Sequence, residues 1–546
     1  MMITGSEPFN NPGSDFLWWR DGIIYQIYPR SFADTNSDGV GDLNGITEKL
    51  DHIATLGVDA IWISPINPSP MYDFGYDVSD YESIDPVFGN LMDFDRLIAE
   101  AHRRRIRVVM DLVLNHTSHL HPWFIASRSN RDDPKRDWYI WNDVGPSGRL
   151  PNNWQSTFGG RSWEFDPRTG QVYYHQFLKE QPDLNWRNPQ VRERIYQVLR
   201  FWLNRGVDGF RLDVVMSYFK DSQFRNNPVK LFGLYAFDRQ IHKYDLDQPE
   251  VISVLQDFRD VLDEYPERMA VGEVIDLDMA LRYVGRDKLH LAFNFDFLRQ
   301  PWNAASFHRS ILRYIRRLPS DAQPCFVLGN HDVNRFPSRF GAGIHSDNRT
   351  KVAATLLLTL PGTPFIYYGE EIGMQNTPIP RADIQDPPGR RFWPFYKGRD
   401  PARTPMQWTA DKNSGFTTGI PWLRLNKDFQ IRNVSTQNAN PESILNYYKK
   451  MISLRRITPS LRQGSYQPVT GKPSQVLAYL RQYSSENCLV ILNFKNRNIN
   501  FLIPQPPADT VWDLRLSSRR AEPVRSSGGE FTLHPLEACI FSAIQR

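Results

Sequence analysis

The chain has 546 residues, which exceeds one simple domain but suits a barrel with insertions. Its hydrophobic fraction of 40% is sufficient for a large core, and its aromatic fraction of 13% leaves rings for binding surfaces. The net charge is only +4 and the charged residues are interleaved, so the sequence lacks the basic patch expected of a nucleic-acid-binding protein.

Cysteine usage and hydropathy favour a cytoplasmic protein without a membrane partner. The three cysteines, Cys325, Cys488 and Cys539, are far apart and odd in number, which predicts no disulfide framework and favours a reducing compartment. Segment 1–15 is polar and has no apolar signal core. The longest apolar stretch, 352–360, is much shorter than the ~20 residues needed to span a bilayer.

Short apolar runs alternate with amphipathic helical patterns along most of the chain. The runs predict strands at 23–28, 60–64, 108–113, 209–214, 269–274, 291–297, 325–328 and 363–368. Helical patterns lie between most of them, at 91–105, 191–204 and 251–265. Eight strands in this alternation imply parallel pairing and an α/β fold of the (β/α)₈ barrel type, built from 15–116 and 188–460.

Two long insertions and a C-terminal domain interrupt this pattern. About 70 residues, 117–187, separate the third strand from its helix, where a loop of ~2–6 is usual, and they predict an inserted subdomain. A second insertion, about 373–441, precedes the helix 442–456 that should close the barrel. Alternating runs at 476–480, 488–494 and 531–540 predict a C-terminal antiparallel β-sandwich over 461–546.

Charged residues stand where the predicted strands end, at His116, Asp213, Glu273 and Asp332. In this fold the chemistry takes place at the carboxyl ends of the strands. Arg211 lies two residues before Asp213, so both side chains point to the same side of a strand. An isolated pair of this kind is usually a structural ion pair. The shared position of the other charged residues favours a catalytic role.

The strand-end segments 111–118, 206–214, 271–274 and 329–332, in this order, resemble the motifs of the α-amylase superfamily of glycoside hydrolases. The resemblance covers essentially the whole chain. It implies that Asp213 is the nucleophile, that Glu273 is the general acid and base, and that Asp332 binds sugar hydroxyls as the transition state develops. It also implies residues that fix the substrate and the nucleophile, namely His116, Arg211 and His331.

The residues themselves suggest the same division of roles. A nearby guanidinium favours the ionised form of a carboxyl group, so Arg211 should keep Asp213 charged. Glu273 has no cation in its own motif and has apolar neighbours, which should favour its protonated form. A retaining glycosidase needs one carboxyl group of each kind.

Two further segments resemble the oligo-1,6-glucosidase and α-glucosidase branch of that superfamily, namely 181–185 and 73–77. By this resemblance Asp73 would bind hydroxyls of the terminal glucose and Tyr76 would stack on its ring. Arg399 matches the arginine that pairs with the aspartate, and Arg403 is the open alternative. A pocket closed by such a pair admits only a chain end, which implies exo action.

The same resemblance implies other contacts to the sugar. Phe158 and Phe177 would form apolar walls, with ordinary loop packing as the alternative, and Gln181 would reach the sugar. Val214, directly after the nucleophile, resembles the valine of enzymes that accept α-1,6 bonds, whereas threonine or alanine goes with α-1,4 preference. A methyl-scale difference of this kind is worth only ~1–3 kcal/mol.

Residues 34–42 have oxygen-bearing side chains at alternate positions and a glycine for the turn. They do not form an EF-hand, because Gly45 occupies the place of the twelfth-position glutamate. They resemble the single calcium loop of oligo-1,6-glucosidase relatives, with the expected ligands Asp34, Asn36, Asp38, the Val40 carbonyl and Asp42. A metal-free Asx-rich turn is the alternative. We expect any calcium here to be structural.

The expected function is an exo-acting retaining α-glucosidase that acts on short oligosaccharides, as a monomer or a homodimer. One alternative is a glucosyl transferase, trehalose synthase or sucrose isomerase that uses the same intermediate. An Arg-Leu-Asp-Arg-Asp loop, found in sucrose isomerases, is absent from the sequence. A catalytically inactive binding relative, such as the heavy chain of amino-acid transporters, is a remote alternative, since all three carboxylates are present.

Overall fold

A computed structural model of the chain describes residues 16–341, 343–469 and 474–546. The polar segment 1–15 lies outside the described residues, as do positions 342 and 470–473. The strands are β1 (Ile24–Ile27), β2 (Ala60–Ile63), β3 (Arg107–Leu112), β4 (Trp141–Asp143), β5 (Trp163–Asp166), β6 (Gln171–Tyr174), β7 (Gly209–Leu212), β8 (Met269–Gly272), β9 (Leu291–Ala292), β10 (Cys325–Val327), β11 (Thr363–Tyr367), β12 (Ser465–Pro468), β13 (Val476–Tyr483), β14 (Glu486–Asn493), β15 (Ile499–Ile503), β16 (Thr510–Ser517), β17 (Arg525–Ser526), β18 (Gly529–Leu533) and β19 (Ala538–Gln545). The helices are α1 (Trp18–Asp21), α2 (Leu43–Glu48), α3 (Leu50–Leu56), α4 (Leu91–Arg103), α5 (Pro122–Ser127), α6 (Pro189–Asn204), α7 (Val251–Asp263), α8 (Leu277–Tyr283), α9 (Phe295–Leu298), α10 (Ala304–Arg317), α11 (Phe336–Arg339), α12 (Ser346–Thr359), α13 (Pro387–Arg391), α14 (Val434–Ala439), α15 (Ile444–Ile457) and α16 (Pro459–Gln463).

Eight parallel strands form a nearly closed barrel, which confirms the predicted fold class. Their order is β10-β11-β1-β2-β3-β7-β8-β9, and every neighbouring pair is parallel. Helices alternate with these strands because each barrel strand is buried on both faces and must be covered. The predicted sixth strand, 291–297, is wrong in length. It ends at Ala292 because the Asn294 side chain accepts a hydrogen bond from the Phe297 backbone N–H and caps α9.

The predicted helices form where capping residues precede amphipathic sequence. Asn90 and Asp93 make a reciprocal capping box at the start of α4. Asn188 caps α6 directly before a proline at its first position, and Ser443 caps α15, which lies where the sequence predicts the helix that closes the barrel.

The β7 strand shows how the alternation of side chains positions the site. Phe210 and Leu212 point outward into the large core between strands and helices. Gly209 and Arg211 occupy the intervening positions and therefore face the barrel interior. A separate apolar cluster, which includes Trp62 of β2, fills that interior and supports the site from below.

The insertion and the C-terminal region have sheets of their own. The strands β4, β6 and β5 form a small antiparallel sheet inside the predicted subdomain 117–187, and Trp154 packs against its residues Trp163, Val172 and Tyr174. The C-terminal region has an antiparallel sheet in the order β12-β13-β14-β19-β16-β17 and an antiparallel pair β15-β18. Segment 373–441 contains α13, α14 and short 3₁₀ turns between β11 and α15.

Two adjacent glutamates are buried directly after β11. Glu371 accepts a hydrogen bond from the Tyr25 hydroxyl at 2.7 Å. A Cβ atom at Gly329 would lie 2.4 Å from Oε1 of Glu370, so this carboxyl packs against the strand end that leads to the site. Burial raises the pKa of Glu370 to about 8, although the backbone of Tyr367 and the charge of Arg335 oppose this shift.

All three cysteines are buried and free. In the described part of the chain, none of the helices combines the length and the apolar character needed to cross a membrane.

Candidate active site

Four carboxyl groups line one cavity of about 310 Å³ at the carboxyl ends of the barrel strands, namely those of Asp73, Asp213, Glu273 and Asp332. Asp213 directly follows β7, Glu273 directly follows β8, and Asp332 lies in the loop after β10. The structure therefore brings together the three residues that the sequence predicted to be catalytic.

One buried guanidinium connects two of these carboxyl groups. Nη1 of Arg211 lies 2.6 Å from Asp213 Oδ1, and Nη2 lies 2.6 Å from Glu273 Oε2. Nη1 also lies 2.9 Å from Oδ1 of Asp111, a β3 residue. Glu273 has no cation in its own motif, as the sequence shows, but Arg211 of the adjacent strand supplies one, so the apolar neighbours of Glu273 do not by themselves decide its protonation.

This cluster has more carboxyl groups than cations, which favours retention of a proton. Burial raises the pKa of Asp213; Arg211 opposes this shift, whereas Glu273 and Asp111 add to it. Burial likewise raises the pKa of Asp111 to about 6, against the charge of Arg211. Groups this close titrate together, so the cluster as a whole can keep one carboxyl protonated while another is ionised.

Asp332 has the opposite environment. Its Oδ1 lies 2.9 Å from Nη2 of Arg403 and 3.4 Å from Nη1 of Arg399, and its Oδ2 lies 3.3 Å from Nε2 of His331. Burial opposes ionisation, but the positive charges of Arg399 and Arg403 outweigh it and lower the pKa of this carboxyl. Asp332 is therefore a fixed anion on the cavity wall.

An ion pair closes one end of the cavity. Nη2 of Arg399 lies 2.7 Å from Oδ1 of Asp73, and its Nε lies 2.7 Å from Oδ1 of Asp386. Arg403 instead donates to the backbone carbonyl of His331. Of the two arginines left open by the sequence, Arg399 is the one that contacts Asp73.

The loop that carries Asp73 is held by a second aspartate and a glycine. Oδ1 of Asp77 accepts a hydrogen bond from the Asp73 backbone N–H at 3.0 Å. Gly75 has φ +103°, and a Cβ there would lie 3.1 Å from the Pro65 carbonyl, so a side chain would be strained at this turn. Gln181 is fully buried and donates to Asp73 Oδ2 at 3.3 Å, so it supports the aspartate rather than reaching the cavity as expected.

Tyr76 and His331 form a stacked pair beside the carboxylates. Their ring planes are nearly parallel with the centroids 5.5 Å apart, and the Tyr76 hydroxyl lies 2.6 Å from His331 Nε2. The Gln26 amide donates to His331 Nδ1 at 2.8 Å. Burial lowers the pKa of His331 well below its usual range, so the ring is neutral. Tyr76 lines the cavity, whereas His331 and Arg211 lie behind its wall and orient other groups.

The predicted aromatic walls also face the cavity. His116, Phe158 and Phe177 all line it, and the ring centroids of Phe158 and Phe177 are 5.4 Å apart. The guanidinium of Arg399 lies over the Phe158 ring at 5.3 Å. The inserted subdomain thus supplies one side of the pocket at the end closed by Asp73.

Val214 lies on the cavity wall in a rare backbone conformation. Its φ of +36° and ψ of +48° are in the left-handed region, which is strained for a β-branched residue. In this conformation its backbone N–H points at Glu273 Oε2, at 3.3 Å. The predicted strand 209–214 therefore ends at Leu212, and position 214 is a turn.

The oxygen atoms of the predicted calcium loop are engaged by the loop itself. Asp34 accepts backbone N–H groups of Asn36 and Gly39, and Asp42 accepts those of Thr35 and Gly45. Asn36 and Asp38 make similar Asx turns, the latter with the Val40 N–H. The donor chemistry suits calcium. Across the described residues, however, no three histidine, cysteine, aspartate or glutamate side chains are grouped as a metal site. Calcium at this loop stays a prediction.

Several residues at the site were missed by sequence reasoning. Asp386, which pairs with Arg399, lies in the long 373–441 excursion without any motif. Lys220 is fully buried and lies 3.1 Å from the Asn115 side-chain oxygen; it also contacts Asp183 of the inserted subdomain. A lysine eight residues after a buried strand carries no signal that it will be buried, so only the structure could identify it.

Comparison with known proteins agrees with this geometry. The family model "Alpha amylase, catalytic domain" matches residues 26–464. A probable α-glucosidase of Rhizobium meliloti is 44% identical over 526 residues, covering 94% of this chain and 93% of the relative. An oligo-1,6-glucosidase of Heyndrickxia coagulans is 40% identical, covering 96% of this chain and 99% of the relative.

A solved structure of the α-glucosyl transfer enzyme XgtA is also similar, with a TM-score of 0.91 and 40% identity over 97% of this chain and 100% of that one. The trehalulose synthase MutB of Pseudomonas mesoacidophila has a TM-score of 0.88 at 36% identity, over 96% and 99% of the two chains. The family match covers well over half of the sequence and the relatives span nearly all of it. The chain therefore belongs to the α-amylase family, glycoside hydrolase family 13.

Proposed function

We propose that this chain is an exo-acting retaining α-glucosidase. It removes terminal, non-reducing α-linked glucose from short oligosaccharides through a covalent glucosyl-aspartate. The observation that carries the proposal is the ion pair of Asp73 and Arg399, which closes the cavity beside Asp332. A pocket closed at one end holds the end of a sugar chain and excludes its interior.

The shared guanidinium of Arg211 supports retention of configuration. The carboxyl groups of Asp213 and Glu273 contact two nitrogens bonded to the same carbon, so they must lie close together. Retaining glycosidases need a separation of about 5–5.5 Å, whereas inverting ones need about 6.5–9.5 Å. In the proposed reaction Asp213 attacks the anomeric carbon while Glu273 protonates the leaving oxygen, and Glu273 later removes a proton from water.

Asp332 and Asp73 have a different part in this proposal. As a fixed anion, Asp332 would accept hydrogen bonds from glucose hydroxyls, and these bonds would strengthen as positive charge develops on the sugar ring. Asp73 and Arg399 would bind hydroxyls at the far end of the ring.

Replacement of the nucleophile tests this assignment. Asp213→Asn should lower the release of p-nitrophenol from p-nitrophenyl α-glucoside by about 10⁴-fold or more, because the amide is a poor nucleophile. Asp132→Asn makes the same chemical change at an exposed position and should leave the rate unchanged. Substantial turnover by a folded Asp213→Asn variant would contradict the assignment.

A transferase or isomerase is the second candidate, because the similar solved structures include an α-glucosyl transfer enzyme and a trehalulose synthase. All three activities share the glucosyl-enzyme and differ in what attacks it. Product profiles on maltose, isomaltose, sucrose and trehalose, each at low and high concentration, separate them. Glucose as the main product at both concentrations supports hydrolysis. New disaccharides that dominate at high concentration support transfer.

The finer features of the proposal rest on individual residues. Val214 supports acceptance of α-1,6 bonds beside α-1,4 bonds, and the oxygen-rich loop 34–42 supports a structural calcium ion. The free cysteines support a cytoplasmic location, which cell fractionation would test. A monomer or homodimer is proposed, and light scattering coupled to size-exclusion chromatography would distinguish the two.

A further inference from the structure

A small cavity lies at the base of the barrel, on the side opposite the carboxyl ends of the strands. Its lining includes Ile23 and Asp59, which directly precede β1 and β2, and residues of α15 and α16. The volume of this basal cavity is about 10 Å³. A space of this size holds one water molecule or one monatomic ion.

Positive charge is in excess around the basal cavity. Its charged lining residues are three arginines and two aspartates, namely Arg455, Arg456, Arg462, Asp21 and Asp59. Both aspartates are already paired, since Asp21 lies 2.8 Å from Nη2 of Arg20 and Asp59 lies 2.5 Å from Nη2 of Arg456. In the described part of the chain, neither Arg455 nor Arg462 forms an ion pair with a carboxylate.

Arg455 is buried, and its hydrogen bonds go to uncharged groups. It donates to the backbone carbonyls of Leu358 at 2.9 Å, Leu461 at 2.8 Å and Gly362 at 2.6 Å. Its Nε has no hydrogen-bond partner among the described residues. Carbonyl groups satisfy hydrogen bonds but carry no net charge, so this guanidinium is left without a counter-ion.

Neighbouring arginines add to the imbalance of charge. Arg481 of β13 donates to the same Leu461 carbonyl at 3.0 Å, so two buried guanidinium groups share one acceptor. The Nε of Arg462 is also buried and lacks a hydrogen-bond partner within residues 16–341, 343–469 and 474–546. Burial lowers the pKa of Arg455 to about 9, and the charges of Arg481 and Arg462 add to this shift. A bound anion would oppose each of these effects.

We propose that the basal cavity binds a chloride ion as the counter-ion of Arg455 and Arg462. Chloride accepts the hydrogen bonds that the two Nε–H groups lack and supplies the missing negative charge. Phosphate and sulfate are tetrahedral and exceed the available space of about 10 Å³. The proposal does not depend on the glucosidase function, because the basal cavity contains none of the residues assigned to that reaction.

The bound ion stabilises the junction between the barrel and the C-terminal sheet. Arg455 joins α15 to the segment 358–362, which precedes β11, and to Leu461 of α16. Arg481, whose strand β13 belongs to the C-terminal sheet, donates to the carbonyls of Leu461 and Gly464. An anion that binds the folded chain at this junction, and not the unfolded chain, raises Tm.

Thermal unfolding at constant ionic strength tests the proposal. Sodium chloride and sodium gluconate screen charges equally at the same concentration, but gluconate is too large for the basal cavity. With chloride at about 100 times its Kd, the wild type should gain about 2 °C in Tm from occupation of the site. General effects of the two salts are common to the wild type and its variants, so comparison with variants isolates this gain.

Two variants make that comparison. Arg462→Gln should lose most of the chloride-dependent gain in Tm, and it can fold because Arg462 is partly exposed. Arg525→Gln is the matched control and should keep the full gain, because the Arg525 side chain is 69% exposed and does not line the basal cavity. If Tm depends on chloride and gluconate identically in the wild type and in Arg462→Gln, the proposal is overturned.

Bromide locates the ion directly. Crystals of the wild type grown in sodium bromide should show an anomalous difference peak within hydrogen-bond distance of Arg455. Absence of the peak would mean that the basal cavity holds water, which overturns the proposal. A peak without any chloride-dependent gain in Tm is an adventitious ion only and overturns it as well. A peak together with the loss of the gain in Arg462→Gln supports it.

Discussion

The buried carboxyl of Glu370 should make stability fall as the pH rises. Its pKa is raised from 4.5 to about 8 in the folded chain because burial favours the neutral form. Between these values the folded state holds a proton that the unfolded state has lost. The stabilisation is therefore complete below about pH 4.5 and disappears as the pH rises through about 8.

The size of this effect follows from the two pKa values. Linkage gives a loss of about 3–4 kcal/mol in the free energy of unfolding between pH 5 and pH 8. Unfolding entropy is about 2.1 cal/mol/K per residue, or roughly 1.1 kcal/mol/K for a chain of this length, so the Tm should shift by about 3 °C.

Glu370→Gln isolates this contribution, since glutamine has the shape of the neutral carboxyl and does not ionise. Calorimetry of the variant and the wild type at pH 5, 6, 7 and 8 cancels the titration of all other groups. The Tm difference, variant minus wild type, should increase by about 3 °C from pH 5 to pH 8. Glu530→Gln, at an exposed position, should give a constant difference. A pH-independent difference for Glu370→Gln would refute the reasoning.

Three other measurements address the site and the loop. Val214→Thr should shift the isomaltose-to-maltose ratio of kcat/KM toward maltose by roughly fivefold. Because threonine keeps the β-branched shape and the backbone strain, this shift would reflect the side chain alone. An unchanged ratio would contradict the role of Val214 in the choice of linkage. Asp73→Asn and Arg399→Met should each lower kcat/KM for maltose by about 10²–10³-fold. The fold-loss of kcat/KM in the double variant should be much smaller than the product of the two single losses. A double-variant loss equal to that product would show that the pair does not act as a unit. Removal of calcium by EDTA should lower Tm, and added calcium should restore it, if loop 34–42 binds the ion; Tm unaffected by either treatment contradicts the calcium prediction.

Features with a regular period were predictable from the sequence. The alternation along β7 correctly places Phe210 and Leu212 outward and Arg211 inward, because successive side chains of a strand point to opposite faces whatever their residue type. The barrel itself was predictable from the repeated alternation of strand and helix patterns along the chain. The strand-end position of the carboxylates then followed from the fold.

Contacts between distant segments were not predictable. Arg211 of β7 contacts Glu273 at the end of the adjacent strand β8, a contact that no local motif encodes. The left-handed conformation of Val214 contradicts the preference of a β-branched residue and arises from the surrounding structure. The motif of Gln181 predicted a contact with the sugar. Its buried position behind Asp73 depends instead on how the inserted subdomain packs on the barrel.

The lining of the active-site cavity comes from different parts of the chain, and this separation has an evolutionary consequence. The Asp73 side of the cavity is lined by the loop after β2, by the inserted subdomain and by Arg399, whereas the lining residues Met216, Phe237, Leu246 and Ile275 come from the loops after β7 and β8. Under the proposed function, substitutions in the latter loops can change which molecule receives glucose while recognition of the glucose donor is inherited intact. Gene duplicates of such a chain can diversify their products without first losing their substrate.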